Sequence, residues 1–290
     1  MTDGALDLVT RHLSHVTLMG IVDFILNLAG LLLWLNWRSI RFDPLAKRKP
    51  ATLMGTLRPA APKKLRRWQW LALVVGLLFL RAVAYRWIAP LWVGTLHLAV
   101  TAPQFLSNAF SRMLCFSFLS FGLSLGIFFT GLLFLSLLKG PEPIHRMVNI
   151  PLGRVDGWPR GVKIFLPLLA AALGWFLLSW PLGWRQHLPV SLPLCLEQSL
   201  VIGLASYLVW KFPAGALLAL HLLNSYIYFG KHPFWNYING TAQTMLRPLK
   251  KYPLRAGKVD LAPVLAIALI FFAAEGAERG LAFLYAHLPF

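Results

Sequence analysis

Apolar runs of membrane-spanning length recur along this chain and leave few architectures open to it. A helix crosses hydrocarbon with about 20 mostly apolar residues, because every backbone N–H and C=O must find its partner inside the segment. Such runs occupy Val16 to Trp37, Trp68 to Trp92, Met113 to Leu138, Val162 to Trp184 and Leu261 to Leu288, with a longer stretch from Leu192 to Gly230. Hydrophobic residues make up 58% of the 290 and charged residues only 13%, a balance too apolar for a soluble domain of this length. The fold class that follows is all-α, a polytopic membrane helix bundle.

The formal charge of +18 would suggest nucleic acid if it were spread over one face. It is concentrated elsewhere. Segments Arg38 to Arg67, Lys139 to Lys163 and Gly230 to Asp260 hold 21 of the 28 Lys and Arg residues, while Val93 to Ser111 has none and Arg185 to Ser191 only Arg185. The positive-inside rule reads this alternation directly: the three basic loops are cytoplasmic, and about six spans form three hairpins with both termini outside. The hairpins divide the chain at 1–92, 93–190 and 191–290. Asp3 and Asp7 precede the first apolar run, which lacks a basic leader and a small-residue cleavage site, so a cleaved signal peptide is not expected. Cys115 and Cys195 show no metal spacing and read as buried thiols; both lie near outer helix ends, where a bridge is geometrically open but nothing demands one.

The basic loops repeat. Asp43-Pro44 precedes Leu57-Arg58-Pro59, and His232-Pro233 precedes Leu246-Arg247-Pro248, at an offset of 189 residues; Asn36-Trp37 and Ser225-Tyr226 keep the same register. A second element, Gly153-Arg154-Val155-Asp156-Gly157-Trp158-Pro159, parallels Gly257-Lys258-Val259-Asp260-Leu261-Ala262-Pro263. In each, Asp suits a helix cap and Pro the early turn. Three hairpins of one kind, the middle one shortened, are the economical reading. Between Pro233 and Pro248, Phe234, Ile238, Ala242 and Met245 fall at helical spacing with Asn236, Asn239 and Gln243 elsewhere, which predicts a short interfacial helix with Phe234, Trp235 and Tyr237 at headgroup level; the plainer alternative is a loop folded under the bundle. Leu192 to Gly230 reads as one long, kinked span with an amphipathic lead-in. Two crossings broken near Lys211-Phe212-Pro213 would put the last basic loop outside, against the charge rule.

On these residues the chain resembles the YggT (YlmG-like) membrane proteins, whose unit is a helical hairpin. The carboxy-terminal unit carries the pattern in Pro233, Arg247, Pro248, the pair Lys250-Lys251, Gly257, Asp260 and Pro263, with His232 for the usual Asn and Ala262 for the usual Ser. The amino-terminal unit carries it in Pro44, Arg58, Pro59 and Lys63-Lys64 but lacks the Gly-Asp-Pro element. The resemblance covers roughly the first and last thirds. It implies no established biochemical activity; members are associated with osmotic tolerance, cell-division or nucleoid organisation, and assembly of a membrane cytochrome complex.

Little in the chain reads as catalytic chemistry. Gly122-Leu123-Ser124-Leu125-Gly126 fits the nucleophile-elbow pattern, but that motif works between a strand and a helix. Within a span the same glycines instead permit close helix approach. No phosphate loop, zinc pattern or His-Glu-x-x-His occurs. His12, His15, His97, His187 and His221 read as interfacial or packed imidazoles, so no metal or cofactor is expected. Ionisable residues within spans cost about 2.5 to 3.5 kcal/mol each on insertion scales and are the functional candidates: Asp23, Arg81, Arg86, Glu275 and Arg279, with Glu278 beside them. Asp23 is expected to pair with Arg81 or Arg86. Glu275 and Arg279 share a helix face, while Arg86, Glu278 and Arg279 suit snorkelling to the outer interface. The competing idea is a proton or ion pathway, which calls for polar residues at one depth on several spans. The clusters Lys47-Arg48-Lys49, Lys63-Lys64 and Arg66-Arg67 set topology and attract anionic lipid at about 1 kcal/mol per residue; with Phe42 the only aromatic in that loop, specific nucleic-acid reading is not expected. The sequence thus points to a non-catalytic multi-pass protein of the bacterial inner membrane. It would act as a scaffold or assembly factor for other membrane proteins, or alternatively as a small transporter or channel.

Overall fold

The computed structural model describes residues 3–39, 67–88, 93–106, 109–138, 151–185, 191–227, 233–249, 255–256 and 259–288, with side chains in the first helix from Gly20 on. The protein is all-α, and the apolar runs become α1 (Asp3–Ser39), α2 (Arg67–Ile88), α3 (Phe110–Leu137), α4 (Arg160–Arg185), α5 (Leu192–Ala205), α6 (Lys211–Tyr226) and α8 (Ala262–Ala286), with the shorter α7 (Pro233–Met245) before the last. Five segments among the described residues are long and apolar enough to cross a membrane: Gly20–Arg38, Trp68–Trp87, Phe110–Leu137, Arg160–Ser179 and Leu192–Tyr226. The sixth expected span is also a helix, α8, distinguished by Glu275, Glu278 and Arg279 in its second half.

The side chains are arranged as a lipid solvent demands. Outward positions on α5 are Leu192, Leu196, Leu200 and Leu204, whereas Cys195, Ser199 and Gly203 are buried. On α4, Phe165, Leu169, Leu173 and Leu177 face outward and Lys163 is buried. Apolar atoms lose nothing against acyl chains, whereas polar atoms there lose their hydrogen bonds, so the soluble pattern is inverted. The expected amphipathic lead-in at Leu192 is therefore corrected: its outer face is a leucine stripe.

The chain forms two compact units, Met1–Leu96 with Pro103–Leu125 and His97–Ala102 with Gly126–Phe290. In the first, α1 packs on α2, and Ala82, Tyr85, Leu96, Phe105, Met113 and Phe116 form the core. A second cluster, Val74, Leu78 and Phe121, continues it. The Phe121 ring lies where a Cβ on Gly30 would stand 2.8 Å away, so only glycine fits there without displacing the ring. Strands β1 (Val93–Thr95) and β2 (Gln104–Leu106) pair antiparallel with Gly94 opposite Phe105. This small hairpin occupies a segment that reads in sequence as a bare connector.

In the second unit α4 makes its most extensive contact with α5, and α6 packs on α7 and α8. The α4–α5 contact is close because a Cβ on Gly203 would lie 2.8 Å from the Leu168 carbonyl and 3.1 Å from the Ala172 Cβ. Small-residue packing is thus found at Gly203. At Gly122 and Gly126 a Cβ would meet nothing within 4 Å, so the close approach expected there is not found among the described residues. Cys115 is likewise exposed on α3, contrary to its reading as buried; Cys195 is buried, and the two are not bridged to each other.

Leu192 to Tyr226 is one uninterrupted helical path. Ser206–Trp210 tightens to a 3-10 turn, but Ala205 and Lys211 on either side keep right-handed helical dihedrals. Pro213 sits in the first turn of α6, where its missing N–H does least harm. At 1.5 Å per residue these 35 residues extend about 52 Å, well over the ~30 Å of a hydrocarbon core.

The expected short helix forms as α7. Its inward face is Tyr237, Ile238, Thr241 and Ala242, continued by Leu246 just past its end, with Phe234 exposed, so the face is rotated from the sequence reading toward Tyr237. Tyr237 and Ile238 pack with Leu217, and Ala242 and Leu246 with Leu218 and Ala266.

Candidate functional site

In the first unit the buried polar groups converge. Asp23 and Asn27 stand one turn apart on α1, Arg81 and Tyr85 one turn apart on α2, and Ser117 and Ser120 on the facing part of α3. The Asp23 carboxylate accepts at both oxygens. Oδ1 takes an N–H from Arg81 Nη2 and the Tyr85 hydroxyl at 2.9 Å, and Oδ2 takes the Ser120 hydroxyl at 3.1 Å and Asn27 Nδ2 at 3.3 Å. Arg81 donates a second time, from Nη1 to Asn27 Oδ1 at 2.7 Å, and Asn27 Nδ2 also reaches Ser120 Oγ at 3.0 Å.

The Arg81 side chain is completely buried and that of Asp23 is 21% exposed. The guanidinium carbon lies 5.5 Å from the Tyr85 ring centroid and 5.4 Å from that of Phe116, so two aromatic faces complete its surroundings. Within this cluster, Arg81 Nε is buried without a partner among the described residues. Ser117 donates to the Leu78 carbonyl at 2.8 Å, pinning α3 to α2 just below the charged group. Four donors, the Arg81 guanidinium among them, converge on one carboxylate and tie three helices in one register.

Of the two expected cations, the structure selects Arg81; Arg86 is exposed at the end of α2. Asn27, Tyr85 and Ser120 were not singled out in the sequence. Their signal was present, since Asn27 and Tyr85 each follow a span charge by four residues and so share its face.

In the second unit Lys211, at the start of α6, donates to Glu278 of α8 at 3.1 Å. Glu278 is therefore tied to a helix partner, where snorkelling was expected. Both charges are partly buried, with the side chain of Lys211 17% and that of Glu278 34% exposed. Beside the pair lies an apolar cavity of about 410 Å³ lined by Phe134, Leu204, Trp210, Ile270 and Ala274 among others. Glu275 and Arg279 form the expected i,i+4 pair at 3.0 Å, exposed on α8. His221 Nδ1 lies 2.8 Å from Asn239 Oδ1, joining α6 to α7.

The loop motif is placed in part. Buried Pro263 stands in the first turn of α8 as expected, but the N-cap is Leu261; Asp260, expected as the cap, lies one residue earlier and accepts the Ala262 N–H on Oδ1 at 3.0 Å. In the parallel element Gly153 adopts a left-handed φ of 59°, which favours glycine, and Asp156 accepts from Lys163 Nζ at 3.2 Å. Pro233 opens α7, and Arg247 and Pro248 are exposed in the turn that follows. Pro44, Arg58, Pro59 and Gly257 lie outside the described residues, as do the basic clusters from Lys47 to Lys64.

Fold and site together define an all-helical protein with several membrane-spanning helices and internal ion pairs. No protein-family model, curated protein or solved structure matches the chain.

Proposed function

We propose that this protein is a non-catalytic scaffold or assembly factor of the bacterial inner membrane, built of six spans in YggT-like hairpins. The reading rests on how the membrane-depth charges are used. Asp23 is saturated by four side chains, Arg81 is sealed between aromatic rings, and Lys211 closes on Glu278. Charges consumed in this way fix helix register and leave outer faces free for neighbours in the bilayer. The basic loops would hold anionic lipid at the inner surface.

The test is a comparison of two measurements on the purified chain and its native membranes. Co-purification of a division or membrane-assembly partner, retained in Asp23→Asn provided the variant folds, supports the scaffold. Ion or solute flux in proteoliposomes that Asp23→Asn or Glu275→Gln abolishes would replace it with a transporter or channel.

A further inference from the structure

The cavity beside Lys211 and Glu278 follows from local geometry in the second unit. Ser206–Trp210 is a 3-10 turn, in which residues three apart eclipse each other, so Tyr207 and Trp210 project on one side of the helix. Their rings meet edge to face at 5.0 Å, and Phe134 stands 5.5 Å from the same indole. Elsewhere the lining is short, with Ala214 on α6 and Ala274 and Ala277 on α8, and about 410 Å³ stays unfilled. An apolar cavity of ~150 Å³ already holds benzene, so this one has room for a substituted ring.

Lys211 also lines the cavity. It is the twentieth of the 35 residues from Leu192 to Tyr226, about 28 Å from one end and about 22 Å from the other at 1.5 Å per residue. That places it within the ~30 Å of hydrocarbon however the excess length is divided. An ammonium carries three N–H donors; one goes to Glu278 at 3.1 Å, and the others meet no acceptor among the described residues. Glu278 balances the charge, so the site is neutral and draws no ion, while an acyl chain offers the spare donors nothing. A fitting occupant is uncharged, dissolves in hydrocarbon, and combines a flat ring for the aromatic wall with a carbonyl for Lys211.

We propose that this cavity binds a quinone-type ring that enters sideways from the bilayer, where Leu204 and Ala277 of the lining are exposed. The ring lies against Trp210, and one of its carbonyls accepts a hydrogen bond from Lys211 Nζ. The inference rests on Leu192 to Tyr226 as a single span and does not depend on the scaffold role.

The test is photolabelling of the purified chain in lipid nanodiscs with an azido-benzoquinone bearing a decyl tail, mapped by peptide mass spectrometry. Labelling should saturate and fall within Tyr207 to Ala214 and Ile270 to Leu281. Unlabelled decyl-benzoquinone should displace it; decylbenzene, which lacks the carbonyls, should not. Lys211→Met removes the donor and Ala274→Leu fills the space, and each should raise the half-saturating concentration by roughly tenfold or more. Should Lys211→Met fail to fold, Lys211→Met/Glu278→Met, which strands no charge, makes the same comparison. The absence of saturable labelling, label outside the two segments, equal displacement by decylbenzene, or half-saturation unmoved in either variant overturns the proposal. The single crossing on which it rests is decided separately, by the compartments of Arg48 and Lys250.

Discussion

Asp23→Asn keeps the shape of the side chain and removes its charge, which makes it the sharpest probe of the buried network. With the amide oxygen kept toward Arg81 and Tyr85, the new NH₂ faces the Asn27 NH₂, which is itself held in place by Arg81 on Oδ1. Two donors then oppose each other, and a fully buried guanidinium loses its counter-charge. Breaking a buried pair from one side costs about 3–5 kcal/mol. Because Asp23 retains 21% exposure, the lower end, about 3 kcal/mol, is expected. Arg81→Met should cost about 2–3 kcal/mol, since Tyr85, Ser120 and Asn27 still serve the carboxylate. The double variant removes both charges and should fall short of the summed losses by about 2 kcal/mol. Equilibrium unfolding in mixed detergent micelles, followed by tryptophan fluorescence, measures all three. Additivity within about 0.5 kcal/mol, or a neutral Asp23→Asn, would refute the reasoning.

Gly203→Val should destabilise by about 1–3 kcal/mol or more in the same titration, because its side chain meets the Leu168 carbonyl, whereas Gly122→Ala and Gly126→Ala should stay within about 0.5 kcal/mol. Ser117→Ala should cost about 1 kcal/mol through the bond to the Leu78 carbonyl. Lys211→Met should destabilise more than the pair Lys211→Met/Glu278→Gln, read as midpoint shifts, if the two charges answer each other as the 3.1 Å contact indicates. Asp260→Ala should weaken the start of α8 by about 1 kcal/mol, seen as faster amide exchange at Ala262 and the following turn.

The helices were legible because bilayer hydrocarbon imposes one length and one composition on whatever crosses it. Asp23 and Arg81 were legible for the same reason, since a charge in an apolar run stands out against its neighbours. Asn27, Tyr85 and Ser120 were harder to see, as uncharged polar residues in a span read equally well as packing. Gly203 and the pair Gly122/Gly126 show the limit plainly. A glycine permits close approach, but only the partner surface, here Leu168 and Ala172, decides whether approach occurs. The β1–β2 hairpin left no periodic signal, because three residues per strand are too few to establish alternation. The rotated face of α7 has a different cause: Tyr237 and Thr241 are amphipathic enough for either environment, and contact with Leu217 settled the choice.

Compartment mapping of the basic loops tests the central claim most directly. Arg48→Cys and Lys250→Cys, each in a cysteine-free background, should both resist an impermeant maleimide in intact cells and both react once the inner face is opened. That outcome requires an even number of crossings between them and a single passage of Leu192 to Tyr226. Labelling of one from outside and the other from inside would contradict the account.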